Sequence, residues 1–373
     1  DLSLFKNIDE TKLLFLGGEL DCWQKISSEE KDYGFEYNCK PEDNFNIIYS
    51  SGTTGVPKGI VQTHRARSHW ATSNAIEMSF NSECKSLTTT ALYSNGTWLM
   101  MLPTLFVGGT LHVMTGFDPK AFVDLVRTER ITHTFLVPPQ FSAILSLENL
   151  EKDSFSSLKT ILSAGSPLRL DVKENILTNM SENLFELYGF SEGFATMLKP
   201  HDQRKKFGSV GTPVLGFEIK IIDEKGNECS PNVAGEIAGY GAGMMKEYYS
   251  EVELTNNLIW TDNRGRSFIK SGDIGSLDED GFLTILDRKK DMIISGGLNV
   301  FPVDIEEVVG KHPDIIDVTV IGIPHEKWGE TCVALIIPKD GVEIDCDEIK
   351  NWSNEKLAKH QRLYQVETRA EFP

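Results

Sequence analysis

Residues 46–78 read NIIYSSGTTGVPKGIVQTHRARSHWATSNAIEM and begin an alternation of strand-like and helical segments. A short apolar run leads into a loop rich in glycine and hydroxyl side chains, and a helical pattern follows from about residue 63. This alternation continues to about residue 217, with strand-like NIIYS, LTTTAL, TLHVM, THTFLV and KTILSAG and helical DPKAFVDLVRTER and LRLDVKENILTNM. It predicts βαβ units and a mostly parallel sheet, whose ligand sites lie in loops at the carboxyl ends of the strands.

The pattern of strand-like and helical segments changes twice after this region. Residues 214–286 consist of strand-like runs separated by KGNE and DEDG turns, which indicates a β-rich subdomain. After the charged run DRKK at 287–290, helical and strand-like segments indicate a small α+β unit. We therefore predict an α/β protein with a large domain at 1–289, its β-rich subdomain at 214–289, and a small C-terminal domain at 290–373 joined by a hinge.

The composition excludes several classes of function. With 37 basic and 55 acidic residues the formal charge is −18, which argues against a nucleic-acid partner. The six cysteines are scattered without a CxxC pair, so we expect neither a disulfide framework nor a zinc site, and we predict a reducing, cytoplasmic location. The longest apolar run, Trp98 to Gly109, is too short for a transmembrane segment. Composition leaves the oligomeric state open.

The loop at 49–59, YSSGTTGVPKG, is typical of a phosphate-binding loop. Glycines let backbone N–H groups turn toward an anion, hydroxyls add donors, and Lys58 adds charge. The loop is not a Walker A loop, because Gly59 follows Lys58 where that motif has Ser or Thr. A plain turn is the alternative interpretation. The candidate phosphate-binding residues are Ser50, Ser51, Gly52, Thr53, Thr54, Gly55 and Lys58.

Five further motifs follow this loop in order: AGSPL (164–168), YGFSE (188–192), GEIAGYGAGMMKEYY (235–249), KSGDIG (270–275) and DRKKDMIISGGLNVFPVDIEEVV (287–309). Together with the loop they resemble the acyl-adenylate-forming (AMP-binding) superfamily, which includes acyl-CoA synthetases, luciferases and the adenylation domains of peptide synthetases. The resemblance extends from about Pro41 onward and is greatest to fatty-acid-type acyl-CoA synthetases.

The chemistry of the motif residues suits this resemblance. The Glu192 carboxylate is a ligand that Mg²⁺ prefers, and the Ser191 hydroxyl, where the family usually has Thr, suits the same phosphate or metal role. A carboxylate such as Asp273 can accept hydrogen bonds from a ribose diol, and the planar guanidinium group of Arg288 can donate to ribose or phosphate oxygens. Tyr188 offers a flat face for adenine. The remaining residues implied for ATP or AMP are Ala164, Gly165, Ser166, Gly189 and Phe190.

The resemblance also implies a moving domain and two further subsites. Lys290 is the implied hinge, with a solvated surface charge as the alternative. The loop Ser295, Gly296 and Gly297 is implied for the coenzyme A channel. The candidate acyl-pocket residues are Tyr93, Trp98 and Phe194, with Met100, Met101 and Phe141 as further walls, and ordinary core packing is the alternative for them.

The function implied is that of an acyl-CoA synthetase that uses ATP, Mg²⁺ and coenzyme A on a carboxylic acid, with a fatty acid as the expected substrate. Two alternatives stay open: an adenylation domain that loads a carrier protein, and a nucleotide- or acyl-binding homologue without adenylation activity.

The ends of the chain suggest a fragment. The chain begins without Met and stops at Glu371-Phe372-Pro373, where the resemblance implies that a segment with a catalytic lysine begins. We expect truncation at both ends and, for residues 1–373 alone, weak or no ATP–pyrophosphate exchange.

Overall fold

The computed structural model describes residues 39–50, 57–296, 298–339, 341–342 and 344–372. The chain separates into two units, residues 1–40 and residues 41–373, and every element below belongs to the second unit. No helix in the described part of the chain combines the length and the apolar character that a membrane crossing requires. The longest of them, α1 (His64–Glu77), has 14 residues.

A seven-stranded sheet forms the centre of the large N-terminal domain, with strand order β4-β3-β5-β6-β7-β8-β9. The first five of these strands pair in parallel, and β8 and β9 are antiparallel. The strands are β3 (Lys85–Thr88), β4 (Thr110–Val113), β5 (His133–Leu136), β6 (Thr160–Ser163), β7 (Leu184–Gly189), β8 (Ala195–Leu198) and β9 (Thr212–Pro213). The associated helices are α1 (His64–Glu77), α2 (Asn95–Phe106), α3 (Pro119–Thr128), α4 (Pro138–Leu145) and α5 (Leu170–Asn179). The predicted α/β architecture is therefore confirmed for this part of the chain.

Two hydrophobic cores lie on opposite faces of this sheet because neighbouring strand residues point to opposite sides. Ile161 packs into one core and Leu162 into the other, and Leu184 and Phe185 divide in the same way. Burial on both faces explains why these strands read as continuous apolar runs in the sequence.

The beginning of α3 follows local rules that the sequence shows directly. The Asp118 carboxylate accepts a hydrogen bond of 2.8 Å from the Ala121 backbone N–H, and Pro119 occupies the first helical position. The side chain satisfies an N–H that has no partner within the helix, and proline loses nothing there because its position needs no donor.

The strand-like run NIIYS does not belong to the parallel sheet, which corrects our prediction. It lies in β1 (Asn44–Ser50), which pairs antiparallel with β2 (Lys58–Thr63), and β12 (Glu247–Tyr248) completes a separate three-stranded sheet. Only residues 51–57 connect β1 to β2. A connection that short joins antiparallel strands, whereas parallel neighbours need a crossover of a dozen residues or more.

The β-rich part is a five-stranded sheet of order β10-β11-β14-β13 with β15 paired to β14. Its strands are β10 (Phe217–Ile222), β11 (Gly235–Gly241), β13 (Ile259–Thr261), β14 (Ser267–Leu277) and β15 (Leu283–Arg288), and the short helix α6 (Val252–Asn257) precedes β13. In the β14–β15 register Asp273 lies opposite Arg288. Strand pairing thus brings together two residues that are 15 positions apart in the sequence.

The small C-terminal domain has its own sheet, of order β17-β16-β19-β18 with β20 parallel to β19. Its elements are β16 (Ile293–Ser295), β17 (Leu298–Val300), α7 (Pro302–Val309), β18 (Ile315–His325), β19 (Gly329–Pro338), α8 (Cys346–Asn354) and β20 (Leu363–Thr368). The buried residues of its core all lie between Ile293 and Val366. The predicted boundary at 289/290 stays a prediction.

A buried histidine in the large domain gives the fold a pH dependence. His133 on β5 is fully buried, and its Nε2 donates to the Met78 carbonyl oxygen at 3.0 Å. Its Nδ1 lies 2.8 Å from the Thr132 hydroxyl oxygen. Burial lowers the pKa of the His133 imidazole to about 4, so this side chain is neutral in the folded protein at neutral pH.

We expect the stability of this domain to fall as the pH drops from 6.5 to 4. The pKa of His133 is lowered from 6.5 to about 4 on folding, so the unfolded chain takes up a proton first and stability decreases by about 3 kcal/mol over this window. Urea unfolding of wild type and His133→Gln at several pH values measures the effect. The variant should be less stable at pH 7 but lose less stability on acidification; parallel pH curves for the two proteins would exclude His133 as the cause.

Candidate active site

A cavity of about 810 Å³ lies at the carboxyl ends of β6 and β7. The position is the one expected for ligands in an α/β sheet. Residues of the large domain and of the C-terminal domain both line it. The predicted nucleotide residues among them are Gly165, Ser166, Tyr188, Gly189, Phe190, Asp273 and Arg288, and Lys290 lines it as well. We call this space the nucleotide cavity.

Three of these side chains contact one another. The Tyr188 hydroxyl donates to Asp273 Oδ2 at 2.7 Å, and Arg288 Nε lies 4.0 Å from Asp273 Oδ1. Burial raises the pKa of the Asp273 carboxyl and that of the Tyr188 phenol. The Tyr188 hydroxyl uses only Oδ2, so Oδ1 could accept a hydrogen bond from a ligand hydroxyl such as that of a ribose diol.

Glu186 also lines the nucleotide cavity, although it was not among the predicted site residues. It lies on β7 two residues before Tyr188, and its Oε1 is 3.7 Å from the Nζ of the buried Lys173. Burial raises the pKa of Glu186 to about 7, and its Oε2 has no hydrogen-bond partner among the described residues. An acid within the apolar strand LFELYG was the signal available in the sequence.

A second group of residues connects β2, β12 and the loop after β7. The Tyr248 hydroxyl donates to Glu192 Oε1 at 2.6 Å, and Lys58 Nζ lies 5.3 Å from the centre of the Tyr248 ring. The Gln62 side-chain amide donates to the Ser191 carbonyl oxygen at 3.0 Å. Two predicted residues, Lys58 and Glu192, therefore contact the same tyrosine, Tyr248. Tyr248 belongs to the motif GEIAGYGAGMMKEYY and was not itself among the predicted site residues.

This group fits a magnesium ion that arrives with a nucleotide. The described residues contain no cluster of three or more His, Cys, Asp or Glu side chains that could hold a metal ion by themselves. Mg²⁺ in nucleotide sites takes one or two carboxylates and completes its shell with phosphate oxygens and water. Glu192 supplies such a carboxylate, with Tyr248 fixing one of its two oxygens.

Several predicted residues lie outside this arrangement or outside the described chain. Ser51, Gly52, Thr53, Thr54, Gly55 and Gly297 are not among the described residues. Ser50 and Lys58, at the two ends of the phosphate loop, lie opposite each other in the β1–β2 pair. Ser295 and Gly296 line neither cavity described here, and the Gly296 N–H donates to the Trp328 carbonyl oxygen at 2.8 Å. Their role toward coenzyme A stays a prediction, as does the hinge at Lys290.

A smaller cavity of about 160 Å³ adjoins the nucleotide cavity, and we call it the side cavity. The two cavities share Gly165, Leu187, Gly189 and Phe190 as lining residues. The other residues that line the side cavity are Arg67, Trp70, Asn74, Asn95, Gly96, Trp98, Leu99, Leu102, Phe135, Ala164 and Ser191.

Of the three candidate acyl-pocket residues, only Trp98 lines the side cavity. Tyr93 is 83% exposed and lines neither cavity. Phe194 is fully buried, and the centre of its ring lies 4.9 Å from that of Phe190. The ring also packs against Gly239 so closely that a Cβ atom at residue 239 would lie only 2.0 Å from it. The further candidates Met100 and Phe141 are also fully buried in the cores. Phe194, Met100 and Phe141 therefore belong to the hydrophobic cores, as in the alternative interpretation of ordinary core packing.

Comparison with known proteins agrees with this architecture. The AMP-binding enzyme family model matches residues 7–249, and the model of the AMP-binding enzyme C-terminal domain matches residues 304–373. The chain is 32% identical to a feruloyl-CoA synthase of Amycolatopsis sp, over 88% of this chain and 66% of that protein. It is 31% identical to a medium/long-chain-fatty-acid–CoA ligase of Mycobacterium tuberculosis, over 82% of this chain and 53% of that protein.

A solved structure gives the same result for the fold. The o-succinylbenzoate CoA synthetase of Bacillus subtilis, in complex with its acyl-adenylate intermediate, superposes with a TM-score of 0.82 at 28% identity. The superposition covers 90% of this chain and 67% of that one. The fold is thus that of the adenylate-forming enzymes. The chain belongs to the AMP-binding enzyme family, and it spans 66% of the length of the feruloyl-CoA synthase that it matches.

Proposed function

We propose that this protein is an AMP-forming acid–CoA ligase, which activates a carboxylic acid with ATP and passes the acyl group to coenzyme A. The observation that carries the proposal is the adjacency of two cavities: a nucleotide cavity with the Tyr188–Asp273–Arg288 group shares four lining residues with a mostly apolar side cavity. A nucleotide and an acid bound there would meet at Gly165 and Gly189, which line both cavities. Membership of the AMP-binding enzyme family supports the same reaction.

In the first half-reaction an oxygen of the acid attacks the α-phosphorus of ATP, and the bond to the β-phosphate oxygen breaks. Pyrophosphate leaves with the electron pair of that bond. Lys58 and the phosphate loop would neutralise the charge on the departing pyrophosphate, and Asp273 would hold the ribose. Glu192 would hold Mg²⁺, which would neutralise further phosphate charge. The contribution of the protein is mainly positioning and electrostatic stabilisation.

In the second half-reaction the thiolate of coenzyme A attacks the carbonyl carbon of the acyl-AMP. The bond between this carbon and the phosphate oxygen breaks, and AMP leaves. We propose that the C-terminal domain turns about Lys290 between the two steps and brings the loop Ser295–Gly297 to the thiol. The exposed side chain of Lys290, at the edge of the nucleotide cavity, is compatible with such a hinge.

The acid is predicted to be a fatty acid, and the matched relatives include both a fatty-acid–CoA ligase and a feruloyl-CoA synthase. The side cavity of about 160 Å³ favours a compact acid, because pockets for drug-sized ligands usually measure about 300–1,000 Å³.

A domain that selects amino acids would need a buried acid for the substrate amine, and none of the described residues that line the side cavity is Asp or Glu. The scattered cysteines support a cytoplasmic location for this reaction.

The test is a product assay with the purified full gene product, ATP, Mg²⁺, coenzyme A and a panel of aliphatic and aryl acids. We expect AMP and acyl-CoA in equal amounts, with hydroxylamine trapping acyl-AMP when coenzyme A is omitted. A second arm supplies synthetic acyl-AMP with coenzyme A and isolates the thioester step. Acyl-AMP without acyl-CoA would favour the carrier-protein alternative, and nucleotide binding without any product in either arm would favour the non-catalytic homologue.

A further inference from the structure

A buried arginine lines the side cavity and has only neutral partners. Arg67 lies on α1 and is 5% exposed. Its Nε donates to Asn46 Oδ1 and its Nη1 to Asn95 Oδ1, both at 2.9 Å. The guanidinium carbon lies 4.8 Å from the centre of the Trp98 ring. These contacts fix the plane of the guanidinium group, but none of them neutralises its charge.

The third nitrogen of this group is buried without a hydrogen-bond partner among the described residues. The other two nitrogens donate to the neutral amides of Asn46 and Asn95. Arg65, on the same helix, instead pairs with Glu42 at the surface. Burial lowers the pKa of Arg67 to about 10, so the side chain stays cationic at neutral pH. A buried cation without an anionic partner is strongly unfavourable, which makes an anionic ligand the natural complement.

The place of Arg67 in the site indicates which part of a ligand it would meet. Arg67 lines the side cavity but not the nucleotide cavity, whereas Gly165 and Gly189 line both. An acid joined to the α-phosphate of AMP would therefore have its reacting carbonyl near these glycines and its remaining atoms toward Arg67. Leu102 and Phe135 supply apolar surface in the same cavity for the body of the acid.

We propose that Arg67 binds a second carboxylate at the distal end of the acid substrate, so that the site favours compact dicarboxylic acids over monocarboxylic acids with the same body. The inference rests on the proposed function, because it assumes that the side cavity holds the acid. Arginine suits this task, since its planar fork donates to carboxylate oxygens in a fixed geometry. Arg67 was not among the predicted site residues because a single arginine in a helical pattern is typical of a surface position.

The experiment compares two matched non-reactive adenylate analogues by isothermal titration calorimetry. One is 5′-O-sulfamoyladenosine that carries a 3-phenylpropanoyl group, and the other carries a 3-(4-carboxyphenyl)propanoyl group. Wild type should bind the carboxylated analogue about tenfold or more tightly, as expected for a charged hydrogen bond. Arg67→Met should bind the two analogues about equally. Arg65→Met, which removes a neighbouring exposed arginine, should keep the wild-type preference.

The dissociation constant of AMP, measured for wild type and every variant, distinguishes a failure of the inference about Arg67 from a failure of the proposed function. If wild type binds AMP but shows no preference for the carboxylated analogue, or if Arg67→Met keeps the preference, the inference is overturned and the proposed function stands. If wild type binds neither AMP nor either analogue, the proposed function fails as well. Should Arg67→Met not bind AMP, Arg67→Gln, which keeps a neutral donor toward Asn95, replaces it with the same expected loss of preference.

Discussion

Replacing Asp273 by alanine is expected to weaken the binding of AMP by about 100-fold, because two charge-assisted hydrogen bonds to the ribose diol, worth about 3 kcal/mol together, are lost. The carboxylate lies in the nucleotide cavity, held by the Tyr188 hydroxyl at 2.7 Å, with Arg288 Nε 4.0 Å away. Isothermal titration calorimetry with AMP measures the change directly.

A ligand without the diol makes this prediction specific. Wild type should bind 2′,3′-dideoxy-AMP much more weakly than AMP, whereas Asp273→Ala should bind the two about equally. Asp280→Ala is the matched control: Asp280 lies on the turn between β14 and β15, its side chain is 69% exposed, and it pairs with Lys206. This control should keep the affinity of wild type for AMP. An Asp273→Ala protein that still prefers AMP over its dideoxy form would show that the diol binds elsewhere.

Replacing Glu192 by glutamine is expected to slow acyl-AMP formation by about 100- to 1,000-fold, the usual effect of removing one electrostatic stabiliser of a transition state. Glutamine keeps the size of the side chain and its capacity to accept from the Tyr248 hydroxyl, which lies 2.6 Å from Glu192 Oε1. It removes the negative charge that Mg²⁺ requires from this side chain. Hydroxylamine trapping in the full gene product measures the rate.

Binding measurements separate the metal role of Glu192 from a structural role. Mg²⁺ should strengthen the binding of ATP to wild type, and this gain should be largely lost in Glu192→Gln, while the affinity for AMP in EDTA stays unchanged. Tyr248→Phe keeps the carboxylate and should reduce the rate by only about tenfold, as expected for one neutral donor. Glu247→Gln, the neighbouring acid on β12, serves as control. An equal gain from Mg²⁺ in wild type and Glu192→Gln would rule out the metal role.

The predicted nucleotide residues Tyr188, Asp273 and Arg288 lie close together in the structure for a physical reason. Tyr188 lies at the end of β7, while Asp273 and Arg288 lie on paired strands, and the ends and pairings of regular elements follow from local patterns. The assignment of NIIYS to the parallel sheet was wrong, because an apolar run shows that a strand is buried but not which strand it pairs with. The length of the connection to β2 was the better signal.

The acid side of the site was harder to predict, because it depends on which face of each helix turns inward. Phe194 and Tyr93 matched an aromatic pocket by composition, yet one is fully buried in the core and the other is 83% exposed. Arg67 is polar and nevertheless buried, since α1 packs between β1 and α2 and brings this arginine to Asn46 and Asn95. Contacts between distant elements of this kind leave no periodic signal in the sequence.

One molecule, an acid joined to AMP, is expected to occupy both cavities at once. The dissociation constant of a sulfamoyladenosine analogue that carries a hexanoyl or a 3-phenylpropanoyl group, compared with that of AMP by calorimetry, tests this expectation. We predict one binding site per chain, competition between analogue and AMP, and at least about 100-fold tighter binding of the better analogue, because its acyl part adds contacts without a second loss of translational freedom. Equal affinities, or simultaneous binding of AMP and the analogue, would contradict this expectation.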